Sequence, residues 1–515
     1  MHPLRLIAGA AAAALALSAC TLTLSACAPR AARRQGPPPT NPPPPAGRSA
    51  PSVPSNQPPW IDARNSPFAV RGIVEGFYGA PWTQAKRLAA FDFMARVGLN
   101  TYVYAPKDDP YQRAEWRRLY PEAELARFRA LLERARQDGV NFVYSISPGL
   151  DITYSSEADR QALTAKVDQL RTLGIHTVMF SVDDVLEQLT PADAAVYGDD
   201  YALAQADLAN WLNATQRARD ASFVLWMTPT HYWGTRADAY LTTLGANLDP
   251  SIPLIWTGPD VVSRQITAAH TDAFAAIVKR KPIIWDNYPV NDYTYAVDKK
   301  PRLILGPIRG RDAAQADHVA GYLLNPMNQE EASRLPLYTA AAYLARPAAY
   351  RPEAVWRDAA RRLAPDAAGA AVLLEFAAYA QSSMVQAQEA PQLTAALAAY
   401  ARGSFGASWR LKRQFASMVS LPARLAGAVP PEFYDEVQPW AAALRDEGEA
   451  GLLALGVDTA VARRNRPAVQ AGLPDLRRAL ANLKAQQATA HVAGNLVEDF
   501  LAGVVSRAEG LGPEM

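Results

Sequence analysis

Thr177-Val-Met-Phe-Ser-Val182 is a short, mostly apolar run, and the two residues that end it are Asp183 and Asp184. A run of this length and composition reads as a buried strand. Two acids at its carboxyl end would stand at the rim of a sheet, where one carboxyl can be kept neutral while the other is ionised. An Asp-Asp pair is also a common way to cap a following helix. The dipeptide alone decides nothing, and its surroundings must.

Outward from this run, short apolar segments alternate with amphipathic ones, each pair taking roughly 30 to 45 residues, the rhythm of successive βα units. The predicted strands are 69–74, 101–104, 141–146, 177–182, 223–227, 253–257, 282–286 and 319–324. Between them, Leu125, Phe128, Leu131, Leu132 and Ala135 recur at helical spacing, with Gly139 as a stop. Eight such units close a TIM (β/α)8 barrel, whose active site is built just after the strand ends. Those positions carry an unusual set of polar and aromatic residues. They include Glu75 to Gly79, Ala105 to Asp109, Ser147 to Asp151, Asp183-Asp184, Thr228 to Tyr232, Trp256 to Pro259, Trp285 to Asn287 with Asn291-Asp292, and Asn325-Pro326. Caps and turns explain one or two of these, but not a ring.

After about residue 330 the composition turns to Ala, Leu and Arg with almost no strand signal, which predicts an all-α helical bundle. The fold class is therefore α/β, a barrel at 63–345 followed by a helical domain at 346–515. Whether that domain packs on the barrel, forms a homodimer or shapes one side of the cleft stays open.

The first residues read as an export signal: Arg5, an Ala/Leu-rich stretch from Leu6 to Leu17, then small residues and a Cys. Leu17-Ser-Ala-Cys20 recurs as Leu24-Ser-Ala-Cys27, and both resemble the bacterial lipobox, so residues 1–27 are expected to be a lipoprotein signal peptide with Cys20 or Cys27 lipidated. A plain secretory signal cleaved near Ala26 or Ala28 is the alternative. Residues 28–62, rich in proline, read as an extended tether, with a Pro-rich recognition motif as the other reading. The two cysteines are the only ones, so the folded part is expected to rest on core burial rather than disulfides.

With 52 Lys+Arg against 50 Asp+Glu, nothing favours nucleic acid. The six histidines lie at 2, 176, 231, 270, 318 and 491 without a His-x-His or His-Glu-x-x-His spacing. No Gly-x-Ser-x-Gly follows a strand, and Gly-rich phosphate loops are absent. Neither a metal nor another cofactor is expected. Amides, carboxylates, a lysine and aromatic walls are what a hydroxyl-rich neutral ligand needs, so the ring looks like a sugar site. Adjacent Cα atoms lie about 3.8 Å apart, yet side chains on consecutive extended residues diverge. Spacing alone therefore leaves inverting, retaining and substrate-assisted mechanisms open.

Gly72-Ile-Val-Glu-Gly-Phe-Tyr-Gly79 with Pro81-Trp82, Asn100 to Asp109, Ile146 to Thr153, Asp183-Asp184, Trp256 to Pro259, Trp285 to Asn287 with Asn291 to Tyr293, and Asn325-Pro326 together resemble glycoside hydrolase family 84. This is the O-GlcNAcase, bacterial hexosaminidase and hyaluronidase-like group. The resemblance implies a retaining exo-β-N-acetylglucosaminidase whose nucleophile is the substrate's own acetamido oxygen, through an oxazoline. It implies that Asp183 orients the acetamide and that Asp184 is the general acid and base. Gly76, Lys107, Asp292 and Asn325 would grip the sugar, with Asn287 beside the acids and Tyr232 near the reacting centre. Thr228, Thr257 and Trp285 would line the acetamide methyl pocket, with Val261 as an alternative wall. The expected partners are glycans or glycoproteins carrying β-linked N-acetylglucosamine. An endo-acting hyaluronidase-like glycosidase and a carbohydrate-binding lipoprotein without turnover are the rival readings.

Overall fold

The computed structural model describes residues 59–511 apart from 382 and 384–389. The lipobox cysteines Cys20 and Cys27, the signal peptide and nearly all of the Pro-rich stretch lie outside the described residues.

Eight parallel strands form the centre: β1 (Arg71–Glu75), β2 (Thr101–Tyr104), β3 (Asn141–Ile146), β4 (Thr177–Ser181), β5 (Val224–Thr228), β6 (Ile255–Trp256), β7 (Ile283–Asp286) and β8 (Gly321–Leu324). Their order is β5-β4-β3-β2-β1-β8-β7-β6, so β1 pairs with both β2 and β8. The sheet rolls into a nearly closed TIM barrel. Its seam is thin: β5 meets β6 only at a bridge between Met227 and Leu254. The segment expected as strand 253–257 shrinks to two residues, since Pro253 has no N–H to give a ladder. β1 likewise begins at Arg71 rather than residue 69.

Every strand splits its side chains between two apolar cores, as the two-residue period demands. Val74, Val103, Val143, Met179, Trp226, Ile255, Ile283 and Leu323 fill the barrel interior. Ile73, Tyr102, Tyr144, Phe180, Leu225, Trp256, Ile284 and Tyr322 pack outward against the helices. The helix Gln84–Val97 stops at Gly98 and the helix Glu122–Gln137 gives way to Gly139, both left-handed at φ 74 and 67.

The helix Glu330–Ala345 completes the barrel, and from there the described chain is helical: Pro352–Leu363, Ala367–Tyr379, Pro391–Ala401, Ala407–Ala426, Pro431–Ala462, Arg466–Gln486 and Leu496–Glu509. The 32-residue helix Pro431–Ala462 packs closely on Ala407–Ala426 because Gly451 leaves room for the Phe415 ring; a Cβ there would lie 2.4 Å from it. This helical part holds the barrel directly. The Pro301 carbonyl, between β7 and β8, accepts from Trp440 Nε1 and from the His491 amide, each at 2.8 Å. Glu436 accepts from the amides of Glu330 and Ala332 at 3.0 Å and pairs with Lys86 at 2.6 Å.

Candidate active site

Strand parity builds the site. Following each inward row to the strand end and beyond gives Gly76 and Tyr78 after Val74, Lys107 after Val103 and Ala105, Asp183 after Met179 and Ser181, and Thr228 after Trp226. The same rule gives Thr257, Trp285, Asn287 and Asn325. All nine line one cavity of about 380 Å³ at the carboxyl end of the barrel, together with Asp184, Tyr232, Val261 and Asp292. Every predicted sugar-site residue is therefore at a single place.

The opposite parity does something else. Glu75 accepts two bonds from Arg87 at 2.8 Å and one from Tyr102 Oη, behind the barrel wall. Asp286 pairs with Arg311 at 2.6 Å and accepts from Tyr322 Oη. Asp109 has the parity of Lys107 but does not line the cavity; past the strand end it accepts from Tyr104 and Tyr120 at 2.7 Å. The polar ring is therefore two sets, and only the inward one faces the cavity. Glu75 and Asp286 are buried, the first tying β1 to the helix Gln84–Val97 and the second tying β7 to Arg311 and to Tyr322 of β8.

Asp184 breaks the parity rule, and the expectation of two extended residues with diverging side chains is wrong here. Its φ is +53, a left-handed turn that Asp tolerates better than most residues. The turn swings its carboxylate back over the cavity beside Asp183.

The two carboxylates have different surroundings. Asp183 is buried; its Oδ2 accepts from Lys107 Nζ at 2.5 Å, while Oδ1 has no hydrogen-bond partner among the described residues. Burial alone would push this carboxyl up, but the charges of Lys107 and Arg113 outweigh it and hold it below its ordinary value. Asp184 is clamped by two phenols: Tyr78 Oη donates to one oxygen at 2.8 Å and Tyr232 Oη to the other at 2.9 Å. Burial first, and the Asp184 charge second, raise both tyrosines well above their usual value, so they remain donors. Arg113 fixes the turn by donating to the Asp184 carbonyl at 3.1 Å and to Ser147 Oγ at 3.1 Å.

The far wall is a chain of amides. Trp285 Nε1 donates to Asn287 Oδ1 at 2.9 Å, Asn325 Nδ2 donates to the same oxygen at 2.9 Å, and Asn287 Nδ2 donates to the Val261 carbonyl at 2.8 Å. Gly76 is required by the indole: a Cβ there would lie 2.1 Å from Trp285. The approach of its carbonyl to a ligand is thus not the only reason for glycine. Asp292 accepts from the Tyr78 amide at 2.9 Å. Burial pushes its carboxyl up to about 6, with the amides of Tyr78 and Tyr293 opposing and the Asp184 charge adding to the rise. Thr257 gives its hydroxyl to the Asp260 carbonyl at 3.1 Å.

Tyr78 and Arg113 did not emerge from the sequence as site residues. Tyr78 stands two positions after Gly76 on the inward row, so strand parity would have found it. Arg113 lies in the turns after β2 and carries no such signal. No group of three or more His, Cys, Asp or Glu residues that could hold a metal occurs among the described residues.

A barrel carrying paired carboxylates, one ionised against a lysine and one held by hydroxyls, in a pocket of amides and indole, defines a glycoside-hydrolase type of site. Residues 71–377 match the family described as beta-N-acetylglucosaminidase. The chain belongs to this family, glycoside hydrolase family 84. It is 37% identical over 278 residues to the protein O-GlcNAcases of Rattus norvegicus and Mus musculus, a match covering 53% of this chain and 29% of theirs. The chain thus spans less than a third of the length of these relatives. Among solved structures, an O-GlcNAc hydrolase of Thermobaculum terrenum superposes with TM-score 0.80 and 32% identity, over 85% of this chain and 95% of that one. CpGH84B superposes with TM-score 0.75 and 27% identity, over 85% of this chain and 77% of that one.

Proposed function

We propose that this chain is an exo-acting β-N-acetylglucosaminidase that retains configuration by substrate-assisted catalysis. The observation that carries the reading is the buried, unpartnered Oδ1 of an ionised Asp183, an acceptor waiting for a donor in the cavity. An acetamide N–H is such a donor. Held by it, the acetamide oxygen attacks the anomeric carbon while Asp184 gives a proton to the leaving oxygen, and the glycosidic bond breaks to leave a protonated oxazoline whose N–H stays hydrogen-bonded to the Asp183 carboxylate. Water then adds to the anomeric carbon, its proton goes to Asp184, and the ring opens with retention. Lys107 keeps Asp183 anionic, and the phenols of Tyr78 and Tyr232 keep Asp184 aimed.

Asp292, Asn325, Lys107 and the Gly76 carbonyl are assigned to the sugar hydroxyls. Thr228, Thr257, Trp285 and the valines at 261 and 262 are assigned to the acetamide methyl, with Asn287 orienting the indole. The cavity is small for a polymer segment but has room for one sugar ring with its acetamido group, which favours exo over endo action. Substrates would be terminal β-linked N-acetylglucosamine on glycans or glycoproteins. Export and lipid anchoring through Cys20 or Cys27 complete the proposal. Its test is replacement of both cysteines by Ser, which should abolish incorporation of radiolabelled fatty acid into the protein; undiminished incorporation would remove these cysteines as the anchor.

Hydrolysis of an aryl 2-acetamido-2-deoxy-β-D-glucopyranoside, against the matching glucoside and with a thiazoline inhibitor, tests the chemistry. Turnover of the acetamido sugar alone, blocked by the thiazoline, is expected. Equal turnover of the glucoside would remove the acetamide from the mechanism, binding without turnover would make the chain a sugar receptor, and release of oligomers from a polymer would favour endo action.

A further inference from the structure

The end of the helical bundle where Ala407–Ala426 begins has the chemistry of a surface that meets something anionic and apolar. The turn between Pro391–Ala401 and Ala407–Ala426 carries Phe405, wholly exposed, and Trp409, 60% exposed, one helical turn on. Phe405 lies just before the helix Ala407–Ala426 and Trp409 in its first turn. Arg402, Arg410, Lys412 and Arg413 lie close to them in the chain, all exposed, and none forms an ion pair among the described residues. One of these cations meets the tip itself: the Arg413 guanidinium lies 4.6 Å from the Trp409 ring. From Ala390 to Pro431 the chain has no Asp or Glu.

A second turn adds to this surface. Tyr400 Oη donates to Asp458 Oδ2 at 2.7 Å, which ties the end of Pro391–Ala401 to the last turn of Pro431–Ala462. Just beyond that turn lie Arg463 and Arg464, again exposed and without an ion pair among the described residues. Two acids at this end are already paired: Asp458 with Arg507 at 2.8 Å and Glu509 with Arg477 at 2.6 Å. Two rings and several exposed cations thus share one end of the bundle, and the acids Asp458 and Glu509 there are already paired among the described residues.

We propose that this end docks on the surface of an anionic lipid bilayer, with Phe405 and Trp409 entering the headgroup layer and the arginines meeting lipid phosphates. Charge complementarity selects the partner. A second copy of the chain, related by a two-fold axis at this tip, would set like charges against each other. A soluble polyanion would satisfy the arginines but leave the rings in water, where exposed apolar surface of this kind carries a cost. An anionic bilayer meets both needs: Trp favours the membrane interface, and each Lys or Arg near such a surface strengthens binding roughly fivefold. No helix among the described residues is long and apolar enough to cross a membrane, so this contact is peripheral.

The test uses the full chain with Cys20 and Cys27 both replaced by Ser, so that no lipid is attached and residues 1–58 are common to every sample. Co-sedimentation is measured with phosphatidylcholine vesicles, with and without phosphatidylglycerol. Binding to the anionic vesicles is expected to weaken at least about tenfold in the Phe405→Ser, Trp409→Ser protein, and by roughly fivefold per charge in the Arg402→Gln, Arg410→Gln, Arg413→Gln protein. Both should melt like the parent, because the replaced side chains are exposed. Four results would overturn the proposal: no added binding with phosphatidylglycerol, equal binding by the aromatic variant, self-association that the aromatic variant abolishes, or binding to soluble heparin that matches vesicle binding.

Discussion

Lys107 Nζ stands 2.5 Å from Asp183 Oδ2 with both side chains almost withdrawn from solvent, at 3% and 7% exposure. Removing one partner of such a pair leaves the other charge buried and alone, which is costly. In Lys107→Met the Asp183 carboxyl should therefore rise, and the acidic limb of kcat/KM should move to higher pH. The stability sign follows. A carboxyl held below its unfolded value, about 3.9, stabilises the fold above that pH and loses its contribution as pH falls through the folded value. The parent should lose this stability only on acidification, whereas Lys107→Met should already lack it at neutral pH. Urea melts at neutral and acid pH check this, and a variant as stable as the parent at neutral pH would contradict it.

The two acids should fail in different ways. Asp183→Asn should lower turnover by roughly two orders of magnitude, the scale of losing a polar contact made to developing charge, whatever the leaving group. Asp184→Asn should spare activated aryl glycosides and nearly abolish turnover of natural linkages, since a good leaving group needs no proton. Paired assays on nitrophenyl and alkyl glycosides separate them, and equal losses for Asp184→Asn would end its role as acid.

Tyr78 and Tyr232 each hold one oxygen of Asp184. Loss of either hydrogen bond to a charged group should cost roughly tenfold or more in kcat. Because they share one carboxylate, the double Tyr→Phe protein should fall by a factor other than the product of the single losses. Multiplicative losses would mean that they do not act through Asp184.

Asp292 is buried against its own charge, with its carboxyl at about 6 against an ordinary 3.8. Between those values the folded protein binds more protons than the unfolded one, so stability falls as pH rises. Asp292→Asn should therefore melt higher than the parent at pH above about 6, with the difference shrinking toward pH 4, while KM rises. A difference that grows on acidification would have the wrong sign.

Much of this could be read from the chain because a barrel strand is local. The runs at 101–104 and 141–146 became strands at those very bounds, and the position after each run became the rim. What was not legible depends on the direction of a side chain or on distant partners. Glu75 and Gly76 are neighbours in one motif, yet one ties a helix to the wall and the other faces the cavity. Parity distinguishes them only once the inward row is known. The left-handed turn at Asp184 depends on Arg113, 71 residues earlier, and no local pattern announces it.

The Pro301 carbonyl, gripped by Trp440 and the His491 amide, has one more consequence. It lies nine residues after Asp292, on the same excursion between β7 and β8. A gene cut after β8 and its helix would leave that carbonyl, and the apolar face around it, with nothing to cover them. The catalytic barrel is thus not a detachable module. Attempts to trim, swap or transplant it would have to carry the far C-terminal helices along, and any drift in those helices would register at the Asp292 side of the cavity.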